Sequence, residues 1–295
     1  MANPRALDKR RKSVRNIRKI TRTMELIATA RYKQAMDRAT AATAFTDRIT
    51  KLVADLSSAN LSIDHPLLEQ RDSTENATLL VLTANRGLCG GFNGNASRAG
   101  VAQHKVLTGQ YDNVSLEISG KKGIGLFKGM KSATPDKTYL EFEDKPRYED
   151  VEVIAERLLE DYAAGKIDRF DVAYTKFIST SKQTAVIETL LPLGSLEGSD
   201  SEEETSSGES MYEFFPSAES ILEEVVPTSF KVKLFKCFLD SAVSEQVARM
   251  TAMKAATENA DDLISQLSMQ FNRARQSRIT NEIMEIIGGV EALEG

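Results

Sequence analysis

Hydrophobic side chains recur in steps of three and four along the first fifth of the chain. The run begins at Val14 and ends at Leu56, ten of its thirteen positions are apolar, and no glycine or proline interrupts residues 6–61. Such a heptad stripe predicts one long helix that packs along a partner helix. Its positions are Val14, Ile17, Thr21, Met24, Ala28, Arg31, Ala35, Arg38, Ala42, Phe45, Ile49, Leu52 and Leu56.

A second stripe of this kind lies at the other end of the chain, where residues 228–287 contain no glycine or proline. Two long stripes at opposite ends predict an antiparallel two-helix coiled coil, with the middle of the chain inserted between the helices. A homodimeric zipper built from each stripe separately is the alternative. The second stripe comprises Leu239, Val243, Met250, Met253, Ala260, Ile264, Leu267, Phe271 and Ala274.

The middle of the chain has a different period. "ATLLVLTA" (77–84) is a continuous apolar run of buried-strand length, and "NVSLEIS" (113–119) alternates as strands do. Residues 96–107 and 148–165 have helical spacing, and residues 170–193 contain two further strands joined as a hairpin. This alternation predicts an inserted α/β, Rossmann-like domain with some parallel sheet.

These patterns divide the chain into four parts. Residues 1–60 and 213–295 are the predicted coiled-coil helices, and residues 75–195 are the predicted α/β domain. Between them, residues 196–212 belong to an acidic, serine-rich stretch whose composition is typical of disorder.

Charge is unevenly distributed, although the formal net charge is only −5. Residues 1–24 carry nine Lys or Arg against one acid, whereas residues 183–230 contain eleven acids and no base. The basic helix could bind nucleic-acid phosphates or an acidic protein surface. Base-stacking aromatics are not interleaved with it, since the first aromatic residue is Tyr32.

The sequence offers only weak candidates for nucleotide-binding, metal-binding or catalytic residues. "NRGLCGG" (85–91) follows a predicted strand, but it lacks the spacing of a dinucleotide site and the Gly-Lys-Ser/Thr of a nucleotide-triphosphate loop, and "GKKGIGLFKG" (120–129) fails in the same way. Both are interpreted as glycine-rich turns or contact loops. Cys89 and Cys237 have no metal-ligand spacing, and no run of 18 apolar residues predicts a membrane span.

Four segments carry a family resemblance: "RKITRTMELIATARYKQA", "NRGLCGGFN", "SEQVARMTAMKAATENA" and "NRARQSRITNEIMEIIGG". In their order and spacing they resemble the gamma subunits of F-type ATP synthases. The C-terminal signature of that family is matched by Ile279, Thr280, Glu282, Glu285 and Gly289.

The departures from the family pattern are local. Asn85 stands where an Asp usually precedes Arg86, and Val290 stands where an Ala usually follows the signature glycine. The acidic stretch 195–210 is peculiar to this chain, and the paired-cysteine insertion of chloroplast relatives is absent from the sequence.

The resemblance implies that the terminal helices form an asymmetric shaft inside a hexamer of α and β subunits. A hydrophobic sleeve of the hexamer is expected to hold Ile283, Ile286 and Ile287. The implied contacts with β fall into two sets. Met24, Arg249, Arg275, Gln276, Thr280 and Glu282 would contact the β subunit, with Arg249, Arg275, Gln276 and Thr280 bonded to one loop of it, and the contact-loop candidates are Arg86, Gly87, Cys89 and Gly90.

The resemblance also implies a non-catalytic subunit without a cofactor. Its partners would be the alpha, beta, epsilon and delta subunits and the membrane ring of c subunits. Residues 212–219, "YEFFPSAE", would belong to the globular foot. The expected location is peripheral, on the cytoplasmic face of the bacterial inner membrane.

Overall fold

The computed structural model describes residues 3–58, 67, 75–130, 133–143, 145–193 and 218–294. The acidic stretch 196–212 and residues 212–217 of the predicted foot lie outside these ranges, and the side chains of residues 218 and 219 are likewise not described. The elements in chain order are α1 (Pro4–Ser58), β1 (Asn76–Leu82), α2 (Phe92–Thr108), β2 (Asn113–Ser119), α3 (Lys121–Met130), β3 (Lys137–Tyr139), α4 (Tyr148–Ala163), β4 (Arg169–Ser179), β5 (Lys182–Leu191) and α5 (Ala218–Glu294).

The chain separates into two compact units, and both long helices contribute to each. One unit contains residues 1–29 and 249–295, and the other contains residues 30–248. We call them the terminal unit and the sheet unit. The predicted fold class is confirmed, because long N- and C-terminal helices flank a mixed α/β sheet.

The sheet has five strands in the order β3-β2-β1-β4-β5. The first four are parallel to their neighbours, and β5 closes the sheet as the antiparallel partner of β4. Ser179 pairs with Lys182 at the predicted hairpin. The sequence did not predict β3, which has only three residues and is mostly exposed.

Both faces of the sheet are covered, which explains the continuous apolar run of β1. On one face, Leu79 and Val81 pack in a cluster with Leu107 of α2 and Phe127 of α3. On the opposite face, Leu80 and Leu82 belong to the cluster that contains the apolar sides of α4 and α5. Strands buried on both faces lose the polar alternation of half-exposed strands.

Helix α3 corrects the interpretation of "GKKGIGLFKG" as a turn. Gly120 has φ +95° just before the helix, and a Cβ built there would lie 2.1 Å from the Thr83 carbonyl oxygen. The Thr83 hydroxyl accepts a hydrogen bond from the Gly123 amide at 2.9 Å. The glycines therefore allow close packing against β1, and this packing outweighs their low helix propensity.

Within the sheet unit, α5 is enclosed on all sides over residues 237–244. Leu239 and Val243 pack against Ala35 and Ala39 of α1. On the sheet side, the Ser244 hydroxyl donates to the Thr175 carbonyl oxygen at 3.1 Å.

Within the terminal unit, α1 and α5 pair antiparallel. Three contacts join them: the Arg11 guanidinium lies 4.7 Å from the centre of the Phe271 ring, Arg18 forms an ion pair with Asp261, and the Thr257 hydroxyl donates to the Thr21 hydroxyl at 2.8 Å. Their partners on α5 move toward lower numbers as α1 advances. The two helices of one chain thus pair with each other, as the two stripes predicted.

The stripe of α1 is correct in its first half and shifted in its second. Thr21, Ala28 and Ala35 are buried as predicted, but the next buried positions are Ala39 and Thr46. The predicted Arg38 and Phe45 are exposed, and so is Ile17 near the start. An α-helix has 3.6 residues per turn, so a strict seven-residue pattern drifts around its surface.

In the part of the chain that the model describes, none of the helices has an apolar segment that could cross a bilayer.

Candidate functional site

The crevice at which open parallel sheets usually bind ligands is filled by α5. Such crevices lie at the carboxyl ends of neighbouring strands whose connections run in opposite directions, here β1 and β4. On β4, just beyond its pairing with β1, the Thr175 carbonyl oxygen accepts a hydrogen bond from Ser244 of α5. At the end of β1, Ala248 of α5 packs against Ala84 and Phe92. A Rossmann-like sheet is present, but its usual nucleotide position is occupied by the chain's own helix.

The β1–α2 loop, residues 83–91, projects exposed backbone from this edge. Gly90 has φ +53°, in accordance with the turn that "NRGLCGG" predicted, and Leu88 has φ +63°. Gly87 does not share this conformation, since the positive φ values in the loop are at Leu88 and Gly90. Arg86 is exposed, and its Nη2 lies 3.7 Å from a carboxylate oxygen of Glu143.

Cys89 corrects one of the contact-loop candidates, because its side chain points into the protein. It is buried in a cluster with Ala84 and Phe92. Its sulfur accepts a hydrogen bond from the Asn93 amide nitrogen at 3.0 Å. Cys89 therefore anchors the loop, while Leu88 provides its exposed apolar surface, with 60% of the residue accessible. No pattern in the sequence indicated Leu88.

Asn85 joins three segments at the base of this loop. Its side-chain nitrogen donates to the carbonyl oxygens of Leu140 and Phe142, both at 2.9 Å. Its side-chain oxygen accepts from the Lys121 amide at 3.0 Å, at the start of α3. The Asn85 side chain both donates and accepts hydrogen bonds here, whereas a carboxylate in its place could only accept them.

We expect Asn85→Asp to destabilise the chain by about 1–2 kcal/mol. The carboxylate loses two donated hydrogen bonds and faces two carbonyl oxygens, and its gain of about 0.5 kcal/mol at the start of α3 offsets only part of this loss. Urea unfolding would measure the change. Asn95→Asp is the matched control, since the exposed Asn95 oxygen accepts from Arg98, and its midpoint should change little. Equal midpoints for the two variants would contradict the bridging role of Asn85.

The predicted C-terminal contact residues lie on one exposed stretch of α5. Arg275, Gln276, Thr280 and Glu285 are exposed, as is Gly289. Glu282 is also exposed and accepts from Arg278 Nε at 2.8 Å within the helix. Every residue from 278 to 290 is exposed, including the signature Ile279 and the three predicted sleeve residues Ile283, Ile286 and Ile287.

Arg249 does not belong with these residues and corrects the predicted grouping. It is 7% exposed, whereas a contact with another subunit requires an accessible side chain. Twenty-six residues of helix separate it from Arg275, which corresponds to about 39 Å along the helix axis. A single loop of another subunit therefore cannot bond to both.

Met24 is half-buried on α1, in the predicted stripe. A groove of about 630 Å³ lies between the start of α1 and residues 261–264 of α5, within the terminal unit. Four cations line this groove with Asp261 and Ile264; they are Lys12, Arg15, Arg18 and Lys19. Four of the nine basic residues in the first 24 positions thus share one surface.

These features define a class of chain in which long terminal helices pair antiparallel and an inserted sheet has its ligand crevice closed by one of them. A family model described as ATP synthase matches residues 3–293. An ATP synthase gamma chain of Rhodopirellula baltica is 66% identical over the whole of both chains, and that of Saccharopolyspora erythraea is 37% identical over 99% of this chain and 98% of its own.

Solved structures share the fold. A chain of the Euglena gracilis mitochondrial ATP synthase (OSCP/F1/c-ring, rotational state 3) superposes with a TM-score of 0.68 at 18% identity, covering 98% of this chain and 94% of its own. A chain from the rotor of that enzyme in rotational state 1 gives 0.61 at 17% identity, over 94% and 98%. The chain belongs to the ATP synthase gamma chain family, which confirms the resemblance carried by the four sequence segments.

Proposed function

We propose that this chain is the rotor of the central stalk, which couples ion flow through a membrane ring to ATP synthesis in a catalytic hexamer. The observation that carries the proposal is the exposed end of α5. Arg11, near the start of α1, lies over Phe271, so residues from 278 onward extend beyond the pair for about 20 Å.

This end of α5 exposes a set of apolar side chains to solvent. Ile283, Ile286 and Ile287 are 50%, 66% and 54% exposed, and Met284 and Val290 are also at least half exposed. Contiguous apolar surface of this kind marks a binding surface on a protein. A hydrophobic sleeve formed by the α and β subunits would cover these residues, and Arg275 and Gln276 would then form charge-assisted and neutral hydrogen bonds with a β loop.

The β subunits would also contact the first helix and the β1–α2 loop. The basic groove of the terminal unit is complementary to an acidic segment, such as the lever of β that the family resemblance implies. Met24 lies on the same helix. Arg86 and Leu88 are the accessible side chains of the loop, so they replace Cys89 as its proposed contacts.

The proposed mechanism is allosteric and requires no catalytic residue in this chain. Each β subunit has open and closed states, and its contacts with the shaft differ between them. Because a helix pair lacks the symmetry of a hexamer, each orientation of the shaft biases the β subunits differently, and the coupling works in both directions. The sheet unit would bind the epsilon subunit and the ring of c subunits, at the cytoplasmic face of the bacterial inner membrane.

Co-purification and proton pumping test this function. A tagged chain should purify with the alpha, beta, epsilon and delta subunits and with ATPase activity, and inverted vesicles that contain the complex should pump protons when ATP is added. A static tether would purify without ATPase, and recovery of the chain alone would overturn the proposal.

We expect Met24→Lys to lower the number of protons pumped per ATP hydrolysed several-fold, while ATPase activity persists. The added cation would bind an acidic segment of β more strongly in some orientations than in others and so resist rotation. Parallel measurements of pumping and hydrolysis in vesicles give the ratio. Thr29→Lys is the matched control, because Thr29 is exposed and lies on a different side of α1 from Met24. An unchanged ratio in Met24→Lys would refute the predicted contact.

A further inference from the structure

The two hydroxyl groups that meet between α1 and α5 in the terminal unit are unusual for an otherwise apolar seam. Thr21 and Thr257 are 9% and 8% exposed, and their side-chain oxygens lie 2.8 Å apart. The next buried positions along the seam are Ala28 on α1 and Met253 and Ala260 on α5. Thr21 is one of the three polar positions of the first predicted stripe, and Thr257 is not part of the second.

Each hydroxyl also has a carbonyl acceptor in its own helix. The Thr21 hydroxyl lies 3.1 Å from the Arg18 carbonyl oxygen, and the Thr257 hydroxyl lies 2.9 Å from the Met253 carbonyl oxygen, so each can donate within its own helix. Each hydroxyl has one proton, so when one Thr donates within its helix the other can donate across the seam. The bond between the helices is kept in both arrangements.

We propose that Thr21 and Thr257 are positioning residues that fix the axial register of the helix pair. Small, similar side chains such as Ala28 and Ala260 fill the seam equally well after a shift of one heptad, so their packing specifies register weakly. A polar pair in an apolar seam favours one register because other registers lose the hydrogen bond between the two hydroxyls and leave each bonded only within its own helix.

The neighbouring residues show what a shift would produce. If α5 moved by one heptad, Thr21 would face Met250 or Ile264, and Thr257 would face Ala28 or Val14. Neither shift provides a hydroxyl partner in the opposite helix.

The exposed charges on the two helices also favour the native register, but more weakly than the hydroxyl pair. Arg18 pairs with Asp261 at the native register, and one of the two shifts would bring it opposite Lys254. Both members of the native pair are about half exposed, and exposed pairs contribute little. The buried hydroxyl pair therefore adds to the packing of Leu239 and Val243 against Ala35 and Ala39, which also holds the two helices in register.

The consequence for rotation rests on the proposed function. A shaft under torque is subjected to forces that slide one helix along the other. A pair with a unique register transmits this load, whereas a pair with several registers yields to it. The double variant Thr21→Val/Thr257→Val keeps the shape of both side chains and removes both hydroxyls.

Pulsed electron paramagnetic resonance on the assembled complex tests the register. Spin labels at Lys9→Cys and Arg273→Cys occupy exposed positions on the two helices, and the native thiols of Cys89 and Cys237 are buried. In the double variant we expect a second population of label-to-label distances. It should match the distance produced when one helix slides along the other by one heptad, or about 10 Å. We also expect a several-fold lower ratio of protons pumped to ATP hydrolysed, with a thermal unfolding midpoint within a few degrees of wild type.

The controls separate register from general stability. Thr23→Val removes an exposed hydroxyl that bonds only to the Lys19 carbonyl oxygen at 2.9 Å, and it should keep the native distance. Thr257→Ser retains the hydroxyl and should also keep it. Thr21→Val alone provides the measurement if the double variant does not assemble. A single native distance in the variants that lack the pair would overturn the proposal, whereas a shifted distance with an unchanged pumping ratio would support it and contradict the rotor function.

Discussion

Replacing Arg157 by Leu is expected to destabilise the chain by about 3 kcal/mol, because it leaves the buried Glu117 carboxylate with only the half-exposed Lys137 ammonium, 3.9 Å away, as its cation. Glu117 lies in β2 and is 1% exposed. Its two carboxylate oxygens lie 2.9 and 2.8 Å from Arg157 Nη2, and one of them accepts from the Tyr139 hydroxyl at 2.8 Å. Burial and the neighbouring Glu117 raise the pKa of Tyr139, so the phenol remains a donor.

Urea unfolding of Arg157→Leu measures this loss, and two comparisons interpret it. Glu117→Gln/Arg157→Leu removes both charges and should recover much of the stability, since the penalty arises from an unpaired charge. Arg147→Ala breaks an exposed pair with Asp150 of similar length, 2.8 Å, and should cost less than 1 kcal/mol. Similar losses for Arg157→Leu and Arg147→Ala would show that burial of Glu117 has no special cost.

Replacing Asp240 by Asn is expected to stabilise the chain by about 3 kcal/mol at pH 7–8 and to have little effect near pH 4. Burial raises the pKa of Asp240 to about 6, Lys236 and Lys176 oppose this rise, and Glu188 adds to it. The folded-state pKa thus lies above the ordinary unfolded value of about 3.9. The protonated carboxyl favours folding at low pH, and this contribution is lost as pH rises through 6.

Thermal or urea unfolding from pH 4 to pH 8 would reveal the effect as a pH-dependent difference between wild type and Asp240→Asn. A pKa difference of about two units corresponds to about 3 kcal/mol. Asp262→Asn removes an exposed carboxylate from the same helix and should give a nearly constant, small difference. A stability difference for Asp240→Asn that does not grow with pH would contradict a raised pKa.

The sequence specified the elements whose signal lies in periodicity. The pairing of α1 with α5 and the strands β1, β2, β4 and β5 all follow from apolar spacing. The buried face of α1 beyond Ala35 did not follow from the apolar spacing, because a helix with 3.6 residues per turn drifts away from a seven-residue pattern over several turns. Helix α3 was missed because its glycines are explained by contacts with Thr83, which is 37 residues away from Gly120 and invisible to a local pattern.

The candidate site was predictable only in its exposed part. The family resemblance implied a hydrophobic sleeve around Ile283, Ile286 and Ile287, and these side chains are exposed in this chain. Arg249 and Cys89 were expected from the resemblance to contact the β subunit, yet both are buried in this chain, since their environment is provided by distant segments. Hydrogen-bond partners such as Asn85 and Leu140 likewise depend on tertiary structure, which spacing does not encode.

The contact between Thr21 and Thr257 joins residues 236 positions apart. During synthesis at 5–20 residues per second, about 10 to 50 seconds pass between the emergence of the two partners. For that interval the seam of α1 is uncovered, and the strand edges of the sheet lack the helix that later crosses them. Burial of both surfaces must therefore wait for synthesis of the last quarter of the polypeptide, which contains α5.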